Sequence, residues 1–229
     1  MSYASEMRMR LPATMSMPEE FEALFDWIEA KGFFMPSTAF PGDRLAMLGP
    51  SKEPYEGTII LFRVETGEQA QESGDAWSGV HVPDIANRLV PFARTGGDGS
   101  HAAFWIADDG QQHIVYVGSE GEAGILASRP LDFLRLLAIG YEYIDDCFER
   151  PGEPPENDAG SRVVINEAYR SWLGDSYGVT IPHTASEVIK EIPGGMPRKT
   201  LSNDPFFRWA YRWHFEPSED PTRYSSWRG

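Results

Sequence analysis

The sequence predicts an α+β fold: a mostly antiparallel, twisted central sheet flanked by helices, with a C-terminal helical extension. The first indication is a hairpin, because residues 101–107 and 112–117 are rich in aromatic and β-branched side chains. Asp109 and Gly110 join them and can adopt the positive φ angles of a two-residue turn. Both faces of this hairpin are apolar, as in interior strands covered on each side. Amphipathic helical patterns precede and follow it.

A two-residue turn fixes which residues of the hairpin face each other. It places Ile106 opposite His113 and Trp105 opposite Ile114. His101 then shares a face with Trp105, whereas His113 lies on the other face. We therefore expect that these two histidines do not bind one metal ion together.

The main body is expected to span residues 16–150, after a loose arm at residues 1–15. Ser16 begins a capping-box pattern for a helix that ends at Gly32. A proline-rich loop with one short strand near residues 45–48 follows, and residues 58–64 form a buried strand. Residues 65–79 are polar and interrupted by glycines, which predicts a loop. Trp77 in that loop is either inserted into the core or exposed as a contact residue.

The second half of the chain is predicted to be mainly helical. After a third apolar run at residues 125–127, Ser128 is the expected cap of a helix that reaches about Glu142 and is packed on the sheet. Residues 151–161 have the composition of a linker. Apolar stripes then predict helices at residues 164–173 and from 205 onward, and a capping box at residues 184–187 predicts a short helix to about Glu191. We expect residues 162–215 to pack on the body as an extension of one domain, and residues 216–229 to form a tail.

Composition limits the classes of partner. The formal net charge of −15 opposes binding to nucleic acid or to anionic membranes and favours a basic protein partner, although acidity can also serve solubility alone. Cys147 is the only cysteine, so no intrachain disulfide can form and a reducing, cytoplasmic location is expected. No apolar run approaches the length of a membrane span. The oligomeric state stays open between a monomer and a weak dimer.

We find no pattern for catalysis, a cofactor or a metal site. Cys147 follows two aspartates, whose charge opposes formation of a thiolate. The glycine-rich loop at residues 96–99 precedes a strand rather than a helix, so it predicts a tight connection and not a phosphate site. The sequence contains no Gly-x-Ser-x-Gly motif.

An acidic stretch with interleaved aromatic residues is the candidate partner-binding site. Either it is a solvated helix exit and linker, or its carboxylates attract a basic partner. Tyr141 and Tyr143 are anchors for that partner if they face outward, and core residues if they do not. Replacing Asp145 and Asp146 with lysine should then slow association with little loss of stability. The candidates in this stretch are Tyr141, Glu142, Tyr143, Asp145, Asp146 and Glu149. The alternative contact residues are Glu120, Glu122 and Trp77.

The order of several motifs resembles the SUKH superfamily (SMI/KNR type), which comprises fungal cell-wall-synthesis regulators and bacterial toxin-immunity proteins. The resemblance extends over residues 83–143 and more loosely over 172–209. The helix, Leu-Pro turn and Asn-Gly element usual near the family's N-terminus are not recognisable in residues 19–50. The motifs are, in order, Val90-Pro91-Phe92-Ala93, Gly96-Gly97-Asp98-Gly99, Phe104-Trp105, a hairpin, and Leu131-Asp132-Phe133-Leu134.

This resemblance implies a non-enzymatic protein-binding module. In bacteria it is most often an immunity protein that neutralises a cognate toxin, and such toxins are frequently nucleases or deaminases with basic surfaces. A regulatory scaffold or adaptor that binds a host protein unrelated to toxins is the alternative. A hydrolase whose site the sequence does not reveal is a distant third.

Overall fold

A seven-stranded sheet, antiparallel throughout, forms the centre of the protein, and its strands follow one another in chain order. The computed structural model describes residues 1–52, 55–96, 98–149, 151–155, 164–189 and 203–212. The predicted α+β fold class is confirmed. The strands are β1 (Phe34–Pro36), β2 (Arg44–Ala46), β3 (Leu61–Phe62), β4 (Leu89–Arg94), β5 (His101–Ile106), β6 (Gln112–Val117) and β7 (Ala123–Ala127).

Helices cover both faces of this sheet. Four of them pack on one face, and two others pack on the opposite face. Single 3₁₀ turns at Ile85–Asn87 and Ala185–Glu187 complete the described elements. The first group is α1 (Tyr3–Arg10), α2 (Glu19–Lys31), α4 (Pro130–Ile139) and α6 (Glu167–Tyr177), the second is α3 (Gly67–Ser78) and α7 (Pro205–Tyr211), and α5 (Asp146–Glu149) is a single turn.

Strand β5 shows why both layers are needed. Its Phe104 lies in the core beneath α2 and stacks on Phe92, with 4.3 Å between the ring centroids. Its Trp105 points to the other face, where it contacts Phe206 and Trp209 of α7. Since large apolar side chains alternate across the strand, leaving either face uncovered would expose them to water. The prediction of interior strands covered on each side is confirmed.

The predicted register of the hairpin is wrong by one residue. Trp105 faces His113, because β5 and β6 are joined by a three-residue loop in which only Gly110 has a positive φ, of 83°. The N–H of Gly110 donates to the carbonyl of Ala107 at 3.0 Å and closes this loop. His101 and His113 therefore share a face after all. They still do not meet, since four residues of strand separate His101 from Trp105, about 13 Å.

The N-terminal segment is a correction to the predicted loose arm, because residues 3–10 form α1. Tyr3 and Met7 are fully buried, and the Tyr3 hydroxyl donates to the carbonyl of Phe62 at 2.6 Å. The Ser16 capping box is also wrong, since α2 begins at Glu19 after Pro18 and no side chain caps it. The predicted end of this helix at Gly32, with φ 70°, is confirmed.

Residues 67–78 form helix α3 where the sequence predicts a loop. The side chain of Gln69 accepts a hydrogen bond from the backbone N–H of Thr66 at 3.0 Å, as half of a complete capping box. Gly74 is needed within the helix because a Cβ there would lie 2.7 Å from Cγ2 of Ile85. A helix that packs through small residues has no apolar stripe, which explains the wrong prediction.

The helices after the sheet differ from their predicted bounds. Helix α4 begins at Pro130 after Arg129, rather than at Ser128, and ends at Ile139 because Gly140 adopts the left-handed conformation. Helix α6 starts later than predicted and continues past Gly174 to Tyr177. The capping box predicted at Thr184 is present, but the described helix there is one turn.

A buried carboxylate at the start of helix α7 links the helix to the sheet. Asp204 caps the helix, since its Oδ1 accepts from the N–H of Phe207 at 2.9 Å, and its Oδ2 accepts from the N–H of Ile125 in β7 at 2.8 Å. The described helices of the C-terminal extension therefore pack on the main body. The tail at residues 216–229, residues 156–161 of the predicted linker and residues 162–163 of the predicted extension lie outside the described residues. Among the described helices, none has both the length and the apolar character of a membrane span.

A pair of methionines in α1 tests whether the N-terminal helix is part of the core. Met7 is fully buried and Met9 is 65% exposed. Met7→Ala should lower the free energy of unfolding by about 2–5 kcal/mol, because it leaves a cavity. Met9→Ala, the matched control, should change it by less than about 0.5 kcal/mol. Urea unfolding measures both, and two equally small effects would show that the arm is loose.

Candidate functional site

Three connections meet at one end of the sheet and bring most of the candidate carboxylates together. The β4–β5 loop and the β6–β7 turn lie at the same end because the strands are antiparallel. Helix α4 leads the chain back to this end, where the carbonyl of Glu142 accepts from the N–H of Ile59 at 2.8 Å. We call this surface the acidic end. Its carboxylates are Asp98, Glu120, Glu122, Glu142, Asp145 and Asp146.

A hydrogen bond between Tyr116 and Asp145 lies at the centre of the acidic end. The hydroxyl of buried Tyr116, at the end of β6, donates to Oδ1 of Asp145, and Phe148 packs on the tyrosine ring with 4.8 Å between centroids. Burial raises the pKa of the Asp145 carboxyl, and the charges of Asp98 and Glu122 add to the effect although Tyr116 opposes it. Asp145 is thus half-buried and holds the chain after α4 against the sheet.

Asp98 connects the two loops of the acidic end. Its Oδ1 accepts from the N–H of Ser100 at 3.0 Å, and its Oδ2 accepts from the hydroxyls of Ser100 and Ser119 at 2.7 Å and 2.8 Å. Burial opposes ionisation, but these donors outweigh it and lower the pKa of Asp98. Asp98 and Asp145 are therefore neighbouring carboxyl groups whose pKa values are shifted in opposite directions.

Glycines allow these carboxylates to crowd together. A Cβ on Gly96 would lie 2.7 Å from Oδ1 of Asp98 and 3.7 Å from Oδ2 of Asp145, so the two carboxyl groups flank this backbone position. A Cβ on Gly118 would lie 2.9 Å from the Tyr116 ring and would collide with the Glu122 carboxylate. The glycine-rich loop is a tight connection with Gly99 at φ 103°, as the sequence predicts.

The acidic stretch after α4 and the alternative contact residues Glu120 and Glu122 lie on one surface. Asp145 feels the charge of Glu122 as well as that of Asp146, so the β6–β7 turn and the chain after α4 are neighbours. Glu120 is exposed, and Glu142 and Glu122 are partly exposed. The predicted ease of replacing Asp145 with lysine is wrong, because its carboxylate is half-buried and bonded to Tyr116. The Glu149 side chain lies outside the described residues.

The two candidate tyrosines have different environments. Tyr141 is 4% exposed, donates its hydroxyl proton to the carbonyl of Glu153 and accepts from the N–H of Ala185 at 3.1 Å. It is therefore a buried tether and not a contact residue, which corrects the prediction. Tyr143 is 38% exposed, as is Tyr55 close to it. Sequence reasoning missed Tyr55 because it lies in a proline-rich loop with no pattern of its own.

Trp77, at the end of α3, contacts the β6–β7 turn and helix α7. Its indole N–H donates to the carbonyl of Gly118 at 3.1 Å, and its ring stacks on Phe206 with 5.9 Å between centroids. Trp77 is half-buried, so the core alternative describes it better than the contact alternative. Its hydrogen bond to Gly118 helps to hold the β6–β7 turn in place.

Cys147 and His101 are shifted away from reactivity. Burial raises the pKa of the Cys147 thiol, and Asp146 and Asp145 raise it further, so the thiolate is disfavoured. Burial and the charge of Arg94 lower the pKa of His101 to about 4. Within the described ranges, no group of three or more histidine, cysteine or acidic side chains has an arrangement suited to a metal ion.

Comparison with protein-family models, with curated proteins and with solved structures gives no significant match to this chain. The resemblance to the SUKH superfamily therefore stays a prediction.

The opposite pKa shifts of Asp145 and Asp98 predict opposite effects of the same substitution. Folding raises the pKa of Asp145 above its ordinary value of 3.8. Asp145 therefore stabilises the fold when it is protonated, and this contribution is lost as the pH rises from 3.8 through the raised pKa of the folded state. Asp145→Asn carries no charge to bury, so it should leave the free energy of unfolding at pH 7 unchanged or raise it. Folding lowers the pKa of Asp98, whose stabilising contribution is present above 3.8 and lost as pH falls. Asp98→Asn should therefore destabilise at pH 7.

Thermal unfolding of the wild type and both variants between pH 3 and pH 7 measures this difference. Equal effects of the two substitutions at pH 7 would contradict the account of the acidic end.

Proposed function

We propose that this protein is a non-enzymatic binding module, an immunity protein that neutralises one basic, nuclease-like bacterial toxin through its acidic end. The observation that supports this most directly is the convergence of carboxylates from three separate connections onto one end of the sheet. The resemblance to SUKH proteins supplies the class of partner. The partner is a protein rather than a nucleic acid or a membrane, both of which the net charge of −15 would repel.

Charge suits the acidic end to steering a basic partner. Exposed carboxylates raise the encounter rate with a positively charged surface, and salt weakens this steering as the Debye length falls to about 8 Å at physiological ionic strength. Glu120 stands on the β6–β7 turn as the exposed carboxylate, with Glu142 and Glu122 partly exposed beside it. They are free to meet a partner, whereas Asp98 and Asp145 maintain the loops.

Tyr143 and Tyr55 provide an apolar anchor next to these charges. Both are 38% exposed, and each carries a large ring with a polar hydroxyl. Tyrosine is enriched among residues that dominate binding energy, because it buries much area for few rotatable bonds. Glu142 and Asp146 lie near Tyr143, so these tyrosines with carboxylates beside them are suited to binding a protein.

Absence of catalysis is part of the proposal. Asp145 and Asp98, whose pKa values are shifted, are held by hydrogen bonds from neighbouring side chains, Asp145 by Tyr116 and Asp98 by two serines. Such contacts stabilise loops and leave these carboxylates little capacity to accept a substrate proton. We further propose that the protein acts in the cytoplasm, where its single thiol stays reduced.

The product of a neighbouring gene is the partner to test first. After its capture by the tagged protein, association rates should be measured at 50 mM and 300 mM salt for Glu120→Lys and for Glu68→Lys. Glu68 is exposed at the start of α3, at the opposite end of that helix from Trp77, and its substitution changes the charge equally. Glu120→Lys should slow association about tenfold at low salt and less at high salt, and Glu68→Lys should have a small effect.

Equal effects of the two variants would place the interface elsewhere on the protein. Capture of a partner unrelated to toxins would favour the scaffold alternative and refute the immunity proposal. Turnover of a substrate that is lost on changing a single polar residue would refute the non-enzymatic proposal.

A further inference from the structure

A cleft of about 560 Å³ lies at the end of the sheet opposite to the acidic end. It opens between the β5–β6 loop, strand β7 and the start of helix α7. Its volume is within the range of sites that bind small ligands or single side chains. We call it the hairpin cleft, and none of the carboxylates of the acidic end borders it.

The floor and walls of the hairpin cleft are mainly apolar. Trp105 and His113 face each other across β5 and β6 in its floor, and Ile125 and Pro205 form walls. The indole nitrogen of Trp105 and Nδ1 of His113 are buried and have no hydrogen-bond partner in the described part of the chain. Buried polar groups nearly always have a partner, so this floor has unused capacity for a ligand. Nδ1 of a neutral His113 can accept a guanidinium N–H, whereas the Trp105 indole N–H is itself a donor and takes no part in holding a cation.

The rim of the cleft is acidic. Asp108 and Asp109 stand on the loop at one side, and Asp204 lies at the other, buried and already bonded to the N–H groups of Phe207 and Ile125. Asp108 is occupied, because it pairs with the guanidinium groups of Arg88 at 2.8 Å and Arg212 at 2.9 Å. Asp109 is exposed and has no ion pair within the described ranges, and only the N–H of Gln111 bonds its Oδ1.

The carboxylate of Asp108 on this rim binds guanidinium groups of the chain itself. Two guanidinium groups of its own lie at Asp108, and Arg88 in addition lies over the ring of Trp209, 5.3 Å from its centroid. A guanidinium is planar and offers paired donors to a carboxylate, and it stacks on aromatic rings. Asp109 is the adjacent carboxylate that these two arginines leave unpaired.

From these observations we infer that the hairpin cleft binds one arginine side chain of another polypeptide. The guanidinium pairs with Asp109, and the aliphatic stem lies along His113, Ile125 and Pro205. Burial lowers the pKa of His113, so a neutral imidazole in the floor does not repel the cation. This inference goes beyond the proposed function and does not depend on it, because the site lies at the other end of the sheet.

The probe is an acetylated, amidated Gly-Arg-Gly peptide, and its control is the same peptide with citrulline, the uncharged isostere of arginine. Titration into the full-length protein is followed by NMR at the indole N–H of Trp105 and the ring of His113. The arginine peptide should shift both signals with a Kd on the order of 1 mM. The citrulline peptide should bind at least about fivefold more weakly. Equal shifts by the two peptides, or no shift by either, would overturn the proposal.

Two variants locate the binding. Asp109→Asn should weaken the arginine peptide about threefold to fivefold, as expected for an exposed ion pair. Asp26→Asn, which removes an exposed carboxylate on α2, should leave the Kd unchanged. An equal effect of both would overturn the proposal.

A third variant excludes the chain itself as the occupant. Residues 190–202 join Ile189 to Asn203 beside the cleft and lie outside the described residues. They include three basic residues, Lys190, Arg198 and Lys199. Replacing residues 190–202 by a Gly/Ser segment of equal length should leave the Kd of the arginine peptide unchanged. Binding seen only in this variant would show that the chain's own segment occupies the cleft and would overturn the proposal.

Discussion

The alternation of large apolar side chains on β5 is the constraint on which the rest of the structure depends. Phe104 and Trp105 are both 1% exposed, yet they point to opposite faces of the sheet. Burying one large aromatic side chain contributes roughly 1.5–3 kcal/mol, so neither face can remain open. A sheet with two apolar faces needs two layers of helices. On the sheet itself, the polar side chains of both candidate surfaces therefore lie at the ends of the strands.

Confinement to the ends explains why the candidate surfaces lie where they do. At one end, Tyr116 and Asp145 hold the chain after α4 against the sheet, and Asp98 holds two loops together. The carboxylates not used in this way face solvent and can attract a cationic partner. At the other end, the loop after β5 supplies the acidic rim of the hairpin cleft. The fold therefore presents two acidic surfaces, separated by the length of the strands.

The sequence predicts those features that local patterns determine. The antiparallel sheet, its coverage on both faces and the Gly32 end of α2 follow from periodicity and from residues with restricted backbone angles. Helix α3 was missed because it packs through Ala70, Gly74 and Ser78. Its signal, the capping box from Thr66 to Gln69, is present in the sequence but lies in a segment rich in glycine and polar residues.

The missed features are those that depend on contacts distant in sequence. The register error arose because Asp108-Asp109-Gly110 suits a two-residue and a three-residue loop alike, and the choice depends on the packing of the strands. The acidic candidates at residues 142–146 were predictable from composition. That they lie next to Glu122 can be predicted only when the topology of the sheet is known. The burial of Tyr141 and Asp145 can be predicted only when their hydrogen-bond partners, Glu153 and Tyr116, are known.

The central claim is that the acidic end binds a basic protein partner. The most direct measurement is amide hydrogen–deuterium exchange of the protein alone and in complex with the captured partner. The account predicts slower exchange in the β4–β5 loop, in the turn at residues 118–122 and at residues 141–147, with no change in the β5–β6 loop. Slower exchange only at the β5–β6 loop and the start of α7, with the acidic end unchanged, would contradict it.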